Sequence, residues 1–289
     1  MNSDFYPGRI YLSWPAFCLI QGLRITKSLF TRVKNNVSII IPAYNEEATI
    51  AEVLDKVLAL EFVKQVVVVN DASKDRTAAI VGSYNDSRLE LINHEKNAGK
   101  TAALKTGLSE VNGEITIIQD ADLEYDPGEL VYLCEPIWAG NADVVYGSRF
   151  LVRGVSRVLY FYHYLGNKVI TFMSNLLTNK NMTDIETCYK AFKTPLITTM
   201  PIKSAGFGFE VEVTANISKT ECRIFETPIS YYGRTFAEGK KITYIDGIHA
   251  LWYIFRFNLL PGKKVKNYVR SANEFLASTR LKQRATSEG

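Results

Sequence analysis

The chain has 289 residues, of which 47% are hydrophobic and 22% charged, with a net charge of +4. This is an ordinary globular composition, enough for one large domain or two small ones. The mild basicity suits anionic ligands or an anionic membrane surface and gives no argument for a nucleic-acid partner.

The four cysteines, Cys18, Cys134, Cys188 and Cys222, lie far apart and form no pair at zinc-ligand spacing. They read as reduced, buried thiols of a cytosolic protein. His94, His163 and His249 form no spaced metal motif either. The nearest approach to a membrane span, residues 10–23, is short, carries Pro15 and Gln21, and is bounded by Arg9 and Arg24. It also lacks the cleavage site of a signal peptide.

In chain order, residues 1–36 form an amphipathic segment, aromatic, apolar and basic by turns. It suits a helix lying in a membrane interface, or one packed on the main domain or on a second subunit. Residues 37–41 are a continuous apolar strand, and Ile50, Val53, Leu54, Val57 and Leu58 then recur at helical spacing. Strands follow at 62–69 and 89–92, with a helix at 76–83 between them. A further helix opens at Lys100 and runs through Leu108. Residues 115–119 make a fourth strand, 128–139 a helix and 143–146 a fifth strand. Regular alternation of this kind predicts βαβ units, a mostly parallel sheet and helices on both faces.

Beyond Arg149 the pattern loosens. The expectation is a mobile basic, aromatic loop over 149–164, then an amphipathic helix over 164–177 and a short strand after 184–190. A helix over 209–217, an extended stretch over 224–232 and an aromatic-rich helix over 243–257 complete the body. Residues 233–241 form a basic loop bounded by Gly233 and Gly239. The stretch after Pro261 reads as a frayed basic tail. The expected division is 1–36, a catalytic domain over 37–258, and a tail over 259–289.

The fourth strand ends in Asp120, Asp122, Glu124 and Asp126. Alternate residues of an extended chain point the same way, so these acids converge past the strand's C-terminal end, where open α/β sheets bind ligands. Crowded like charges need an offset, and a divalent cation with oxygen ligands supplies one. The plainer reading is an acidic turn before a helix, with Asp126 as cap and Pro127 at the first helical position.

Four motifs come in a telling order: Ile-Pro-Ala-Tyr-Asn-Glu at 41–46, Asn-Asp-Ala-Ser-Lys-Asp at 70–75, Asn-Ala-Gly-Lys at 97–100 and Asp-Ala-Asp at 120–122. The set resembles family 2 glycosyltransferases, which have the GT-A fold. Residues 184–192 and 234–241 look like the branch of dolichyl-phosphate mannose and glucose synthases. The resemblance implies an inverting transfer of a hexose from a nucleotide-diphosphate sugar, of the UDP-glucose or GDP-mannose type, to a polyprenyl or dolichyl phosphate.

By the same resemblance, Pro42, Tyr44, Glu46 and Asp71 would meet the nucleotide. Asn70 stands where the family often has aspartate, which leaves Asp71 for the base. Lys100 would touch phosphate, while Asp120, Asp122 and Glu124 would hold Mg2+ or Mn2+. Arg234, Lys240 and Lys241 would close over the pyrophosphate, and Arg149 would bind the acceptor phosphate with weaker help from Arg157. The implied setting is peripheral, on the cytosolic face of a membrane, with the oligomeric state open. Two rivals stand beside this reading. One is a transferase elongating a glycan hydroxyl, with Glu186 or Glu210 as base. The other is a non-catalytic nucleotide-sugar-binding scaffold.

Overall fold

The structure, a computed structural model, describes residues 35–151, 158, 160–206, 208–234 and 244–287. The expected N-terminal segment up to Lys34 therefore lies outside the described residues, as do Arg157 and the loop carrying Lys240 and Lys241.

The first half alternates as its periodicity predicts: β1 (Val37–Ala43), α1 (Ile50–Leu58), β2 (Val63–Asn70), α2 (Thr77–Gly82), β3 (Leu89–Asn93), α3 (Lys100–Glu110), β4 (Ile115–Ile118), α4 (Leu130–Trp138) and β5 (Val144–Ser148). A single 3-10 turn, Pro127–Glu129, precedes α4, and Asp126 caps it by accepting from the Gly128 N–H. There follow α5 (Phe161–Thr178), β6 (Lys190–Lys193), α6 (Thr194–Thr198), α7 (Phe209–Ile217), β7 (Ile224–Pro228), α8 (Tyr244–Leu259) and α9 (Lys263–Ser287).

The seven strands form one sheet in the order β3-β2-β1-β4-β6-β5-β7. β6 is antiparallel to both neighbours, and the other pairings are parallel. β1, β2 and β4 carry Val or Ile at most positions and are buried on both faces, as a helix-covered parallel sheet requires. Packing of α3 on β1 is tight. A Cβ on Gly107 would lie 2.5 Å from Ile40 Cγ2, so only glycine fits there.

The order of strands locates the site. The chain steps from β1 to β2 to β3 toward one edge, then returns through α3 to set β4 on the other side of β1. Connections therefore diverge between β1 and β4, and a crevice opens at their C-terminal ends. The turns after Ala43 and Ile118 both emerge there, with Ile40 paired to Ile118 one step earlier.

Several details depart from the expectation. The stretch after Pro261 is not frayed: it is α9, with Val265, Tyr268, Ala272 and Leu276 buried at helical spacing. Tyr268 donates to the Leu196 carbonyl at 2.8 Å, and Arg280 to the Glu221 carbonyl at 2.6 Å. Polar and basic residues fill most of the remaining positions and mask the apolar stripe. The short helix α6 was hidden by its length; Pro195 in its first turn is the available signal. At the far end of β5 from the crevice, buried Asp143 accepts from Lys193 and Arg223 at 2.7 and 2.9 Å. Burial pushes its carboxyl up, but those hydrogen bonds outweigh it and hold it well below the usual carboxylate range. Cys134, Cys188 and Cys222 are buried free thiols, as expected, and Cys18 lies outside the described residues.

Candidate active site

Three strand-end turns carry backbone strain. Asn45, Ala72 and Leu123, after β1, β2 and β4, have φ of 54°, 58° and 60°. Non-glycine residues in this left-handed region cost about 1 kcal/mol or more each, and such strain persists where surrounding contacts enforce it. Here the turns hold one another. The Asn45 N–H donates to Ser73 Oγ, the Lys74 N–H to Asn45 Oδ1, and Thr49 Oγ1 to the Ala121 carbonyl at 2.7 Å. Tyr44 and Glu46 thus sit on a braced turn beside the acidic one, with Pro42 just before it in β1.

Asp71 is buried and its carboxylate is fully engaged. His94 Nδ1 lies 2.7 Å from Oδ1, and the Ala98 and Gly99 N–H groups donate at 2.9 and 2.7 Å. In this structure Asp71 shapes the turn that delivers Lys100 to the start of α3. A base contact through the same oxygens would require those bonds to give way.

Lys100 Nζ bridges Asp120 Oδ1 at 2.9 Å and Glu210 Oε1 at 3.1 Å. Burial opposes its charge, but Asp120, Cys188 and Glu210 outweigh burial, so its pKa stands well above the ordinary lysine value. Among the described residues no ion pair forms on the Asp122 carboxylate, and the nearby Arg234 offsets its charge only in part. Burial first, then Asp120 and Glu124, push it up to about 7. That is the signature of negative charge awaiting a counter-charge. Asp120 and Asp122 offer only oxygen donors, the set a hard divalent cation prefers. Among the described residues no three His, Cys, Asp or Glu side chains are gathered as a ligand set. The residues present therefore fit a cation held by one or two carboxylates and completed by diphosphate oxygens and water, the usual arrangement for Mg2+ at phosphates.

Glu124, the expected third ligand, uses both oxygens to hold the chain at 231–234. Tyr231 Oη donates to Oε2 at 2.7 Å and the Arg234 N–H to Oε1 at 2.8 Å. Arg234 in turn crosses the crevice, reaching Glu46 Oε2 at 3.2 Å and the Asp122 carbonyl at 2.5 Å. One arginine thereby ties the β1 turn, the acidic turn and the entrance of the basic loop together.

Arg149 follows β5 and is held by buried Asp184 in a two-pronged pair, Nε to Oδ2 at 2.7 Å and Nη2 to Oδ1 at 2.8 Å. The same Nη2 donates to Asn167 Oδ1 on α5 at 3.2 Å. The Arg149 guanidinium lies 5.2 Å from the Tyr231 ring centre. Tyr231 therefore spans the two halves of the site, with its ring on Arg149 and its hydroxyl on Glu124.

Behind Lys100 lies a buried charged group that the motifs only hinted at. Glu186 is pushed up to about 7, first by burial and then by Glu210. Lys190 is fully buried, donates to the Thr187 carbonyl, and has its pKa lowered by burial. Among the described residues, Glu186 Oε1 and Glu210 Oε2 have no hydrogen-bond partner. Sequence reasoning missed Asp184 and Tyr231 as functional positions. The only available signal was Asp184 opening the 184–192 motif, since β6, which pairs beside β5, cannot be paired from sequence alone.

A family model, glycosyl transferase family 2, matches residues 38–199, and the chain belongs to that family. A dolichyl-phosphate beta-glucosyltransferase of Trichomonas vaginalis is 34% identical over 147 residues, 46% of this chain and 45% of the relative. An undecaprenyl-phosphate 4-deoxy-4-formamido-L-arabinose transferase of Salmonella paratyphi A is 28% identical over 211 residues, 71% of this chain and 62% of the relative. The chain spans roughly half the length of the curated relatives it matches. Glucosyl-3-phosphoglycerate synthase of Mycobacterium tuberculosis, solved with Mn2+, UDP and phosphoglyceric acid, superposes with a TM-score of 0.64. It is 18% identical, with 83% of this chain and 84% of that chain covered, and the likeness establishes the GT-A fold.

Proposed function

We propose that this chain transfers a hexose, with inversion, from a nucleoside-diphosphate sugar to a polyprenyl or dolichyl phosphate at the cytosolic face of a membrane. One observation carries the reading. A carboxylate pair suited to a diphosphate leaving group, Asp120 and Asp122, is joined through Glu124 and Tyr231 to a buried arginine suited to a phosphate acceptor, Arg149. The names of the two lipid-phosphate relatives support the same choice of acceptor.

In this scheme an acceptor phosphate oxygen attacks the anomeric carbon from the side opposite the diphosphate. The bond from that carbon to the diphosphate oxygen breaks, and its electron pair leaves with the nucleoside diphosphate. Arg149, oriented by Asp184, holds the acceptor phosphate. Lys100, at the N-terminus of α3, places positive charge where an anion is favoured. Arg234 braces the crevice by joining the β1 turn to the acidic turn. Mg2+ or Mn2+ held between Asp120, Asp122 and the diphosphate would supply Lewis-acid stabilisation of the leaving group's charge.

A phosphate acceptor needs no base, because its second proton is lost at about pH 6. A hydroxyl acceptor does need one, and Glu186, pushed up to about 7 beside the site, is the observation that favours this second reading. The two separate on pH. A base at Glu186 must be deprotonated, so the rate would rise through pH 7 and vanish in Glu186→Gln. With a phosphate acceptor the rate rises through about pH 6, follows the acceptor's own titration, and survives in Glu186→Gln and Glu210→Gln. Nucleoside-diphosphate release with polyprenyl phosphate, measured across pH for the three proteins, decides it. Loss of all activity in folded Glu210→Gln would favour the hydroxyl reading.

A further inference from the structure

Helix α5 is apolar on its outer side as well as its inner one. Its inner side carries Thr171 and Ser174, 3% and 2% exposed, with Ile170, Met173 and Leu177 packed against the core. Its solvent side carries Phe161, Leu165, Val169, Phe172 and Leu176, spaced at three to four residues, with Phe172 63% and Leu176 64% exposed. A helix whose outer side faces water carries polar residues there instead. Helix α8 packs beside α5 and extends the same surface with Ile248, Trp252, Phe255 and Leu259, Trp252 being 58% exposed. Rows of large exposed apolar side chains on two helices packed together mark an interaction surface.

The charge around the surface says what it meets. From Phe161 to Thr178 the only charged residue is Lys168, and after Asp246 helix α8 has only Arg256. Directly beyond Leu260, the start of α9 presents exposed Lys263, Lys264 and Lys266. An apolar, aromatic face without carboxylates and with a lysine cluster at its margin complements a lipid surface bearing anionic headgroups. Position agrees with charge. Asn167 of α5 accepts from Arg149, and Lys168 Nζ lies 4.5 Å from the Phe150 ring centre, so the apolar stripe starts beside the proposed acceptor-phosphate arginine.

We propose that the joint face of α5 and α8 is a membrane-docking surface that seats the protein on an anionic bilayer and lets a lipid acceptor reach Arg149 without leaving the membrane. The inference rests on the lipid-phosphate reading for the acceptor, but the surface can be tested without any transfer reaction.

The test uses the full chain and the double variant Phe172→Ser with Trp252→Ser, both exposed positions, with circular dichroism confirming an unchanged melting temperature. Sedimentation with phosphatidylcholine vesicles, with and without phosphatidylglycerol, reads docking directly. The wild type should sediment with the anionic vesicles and the variant on the order of tenfold less, since interfacial binding scales with buried apolar area and anionic lipid. Transfer to long-chain polyprenyl phosphate in the vesicles should fall in parallel, while transfer to a short, soluble isoprenyl phosphate should be retained. Equal sedimentation of both proteins, or none of either, overturns the surface. So does a wild-type dimer in analytical ultracentrifugation that the variant abolishes, because a second copy then covers the face. Vesicle binding lost in the variant, with no transfer to any isoprenyl phosphate by either protein, would sustain the surface and sink the lipid-phosphate function.

Discussion

Asp122→Ala is expected to lower kcat on the order of 10²-fold or more while leaving the fold intact. Asp122 is the one acid of the acidic turn that burial and its neighbours Asp120 and Glu124 drive up to about 7. Its ionised form is costly unless a cation or developing positive charge offsets it, so the interaction it supplies belongs to the loaded enzyme. Among the described residues its side chain accepts a single bond, 3.1 Å from the Glu124 N–H. Removing a crowded carboxylate also relieves repulsion on Asp120 and Glu124. Calorimetry should therefore find a melting temperature equal to or above that of the wild type, together with the collapse in turnover. Near-normal turnover in this variant, or undiminished wild-type activity in excess chelator, would remove the carboxylate pair from the chemistry.

Arg149→Lys is the second large effect. Lysine keeps the charge but meets Asp184 at one point instead of two, and it cannot present a planar fork to a phosphate. The acceptor's kcat/KM should fall on the order of 10²-fold, with donor affinity within about twofold of wild type. A cost in stability of about 1–3 kcal/mol is also expected, because the partner Asp184 is fully buried and would be left half-satisfied. Kinetics must be taken well below the variant's melting temperature for this reason. A folded variant with unaltered acceptor kinetics would reduce Arg149 to a structural ion pair.

What could be read from the amino-acid order follows from how local each signal is. β1, β2 and β4 announce themselves through continuous Val and Ile runs, and α1 through its apolar spacing, because these periodicities are properties of single segments. The acidic turn and the Asn-Ala-Gly-Lys turn are local too, so Asp120, Asp122 and Lys100 stand out in the sequence as candidates. What could not be read is pairing at a distance. Asp184 meets Arg149 across 35 residues, and Tyr231 meets Glu124 across 107. Asp71 and Glu124 show the same limit: the sequence marks each as a candidate ligand contact, and only the fold shows that N–H groups of Ala98 and Gly99 reach the first and that of Arg234 the second. α9 was misjudged because its basic residues outweigh a stripe that only packing against the domain reveals. α5 was expected to be amphipathic, but nothing in sequence says that Leu165, Val169, Phe172 and Leu176 face outward while Met173 and Leu177 pack inward.

The measurement that bears most directly on the central claim is the linkage formed in the product. Purified protein would be supplied with labelled UDP-glucose or GDP-mannose, polyprenyl phosphate in anionic vesicles, and Mn2+ or chelator. The expected product is a labelled lipid whose sugar is released by mild acid, as a glycosyl phosphate requires, with its anomeric configuration inverted from the donor and with no product in chelator. Label in an acid-stable glycoside on a hydroxyl acceptor, or nucleoside diphosphate released equally well without polyprenyl phosphate, would contradict it.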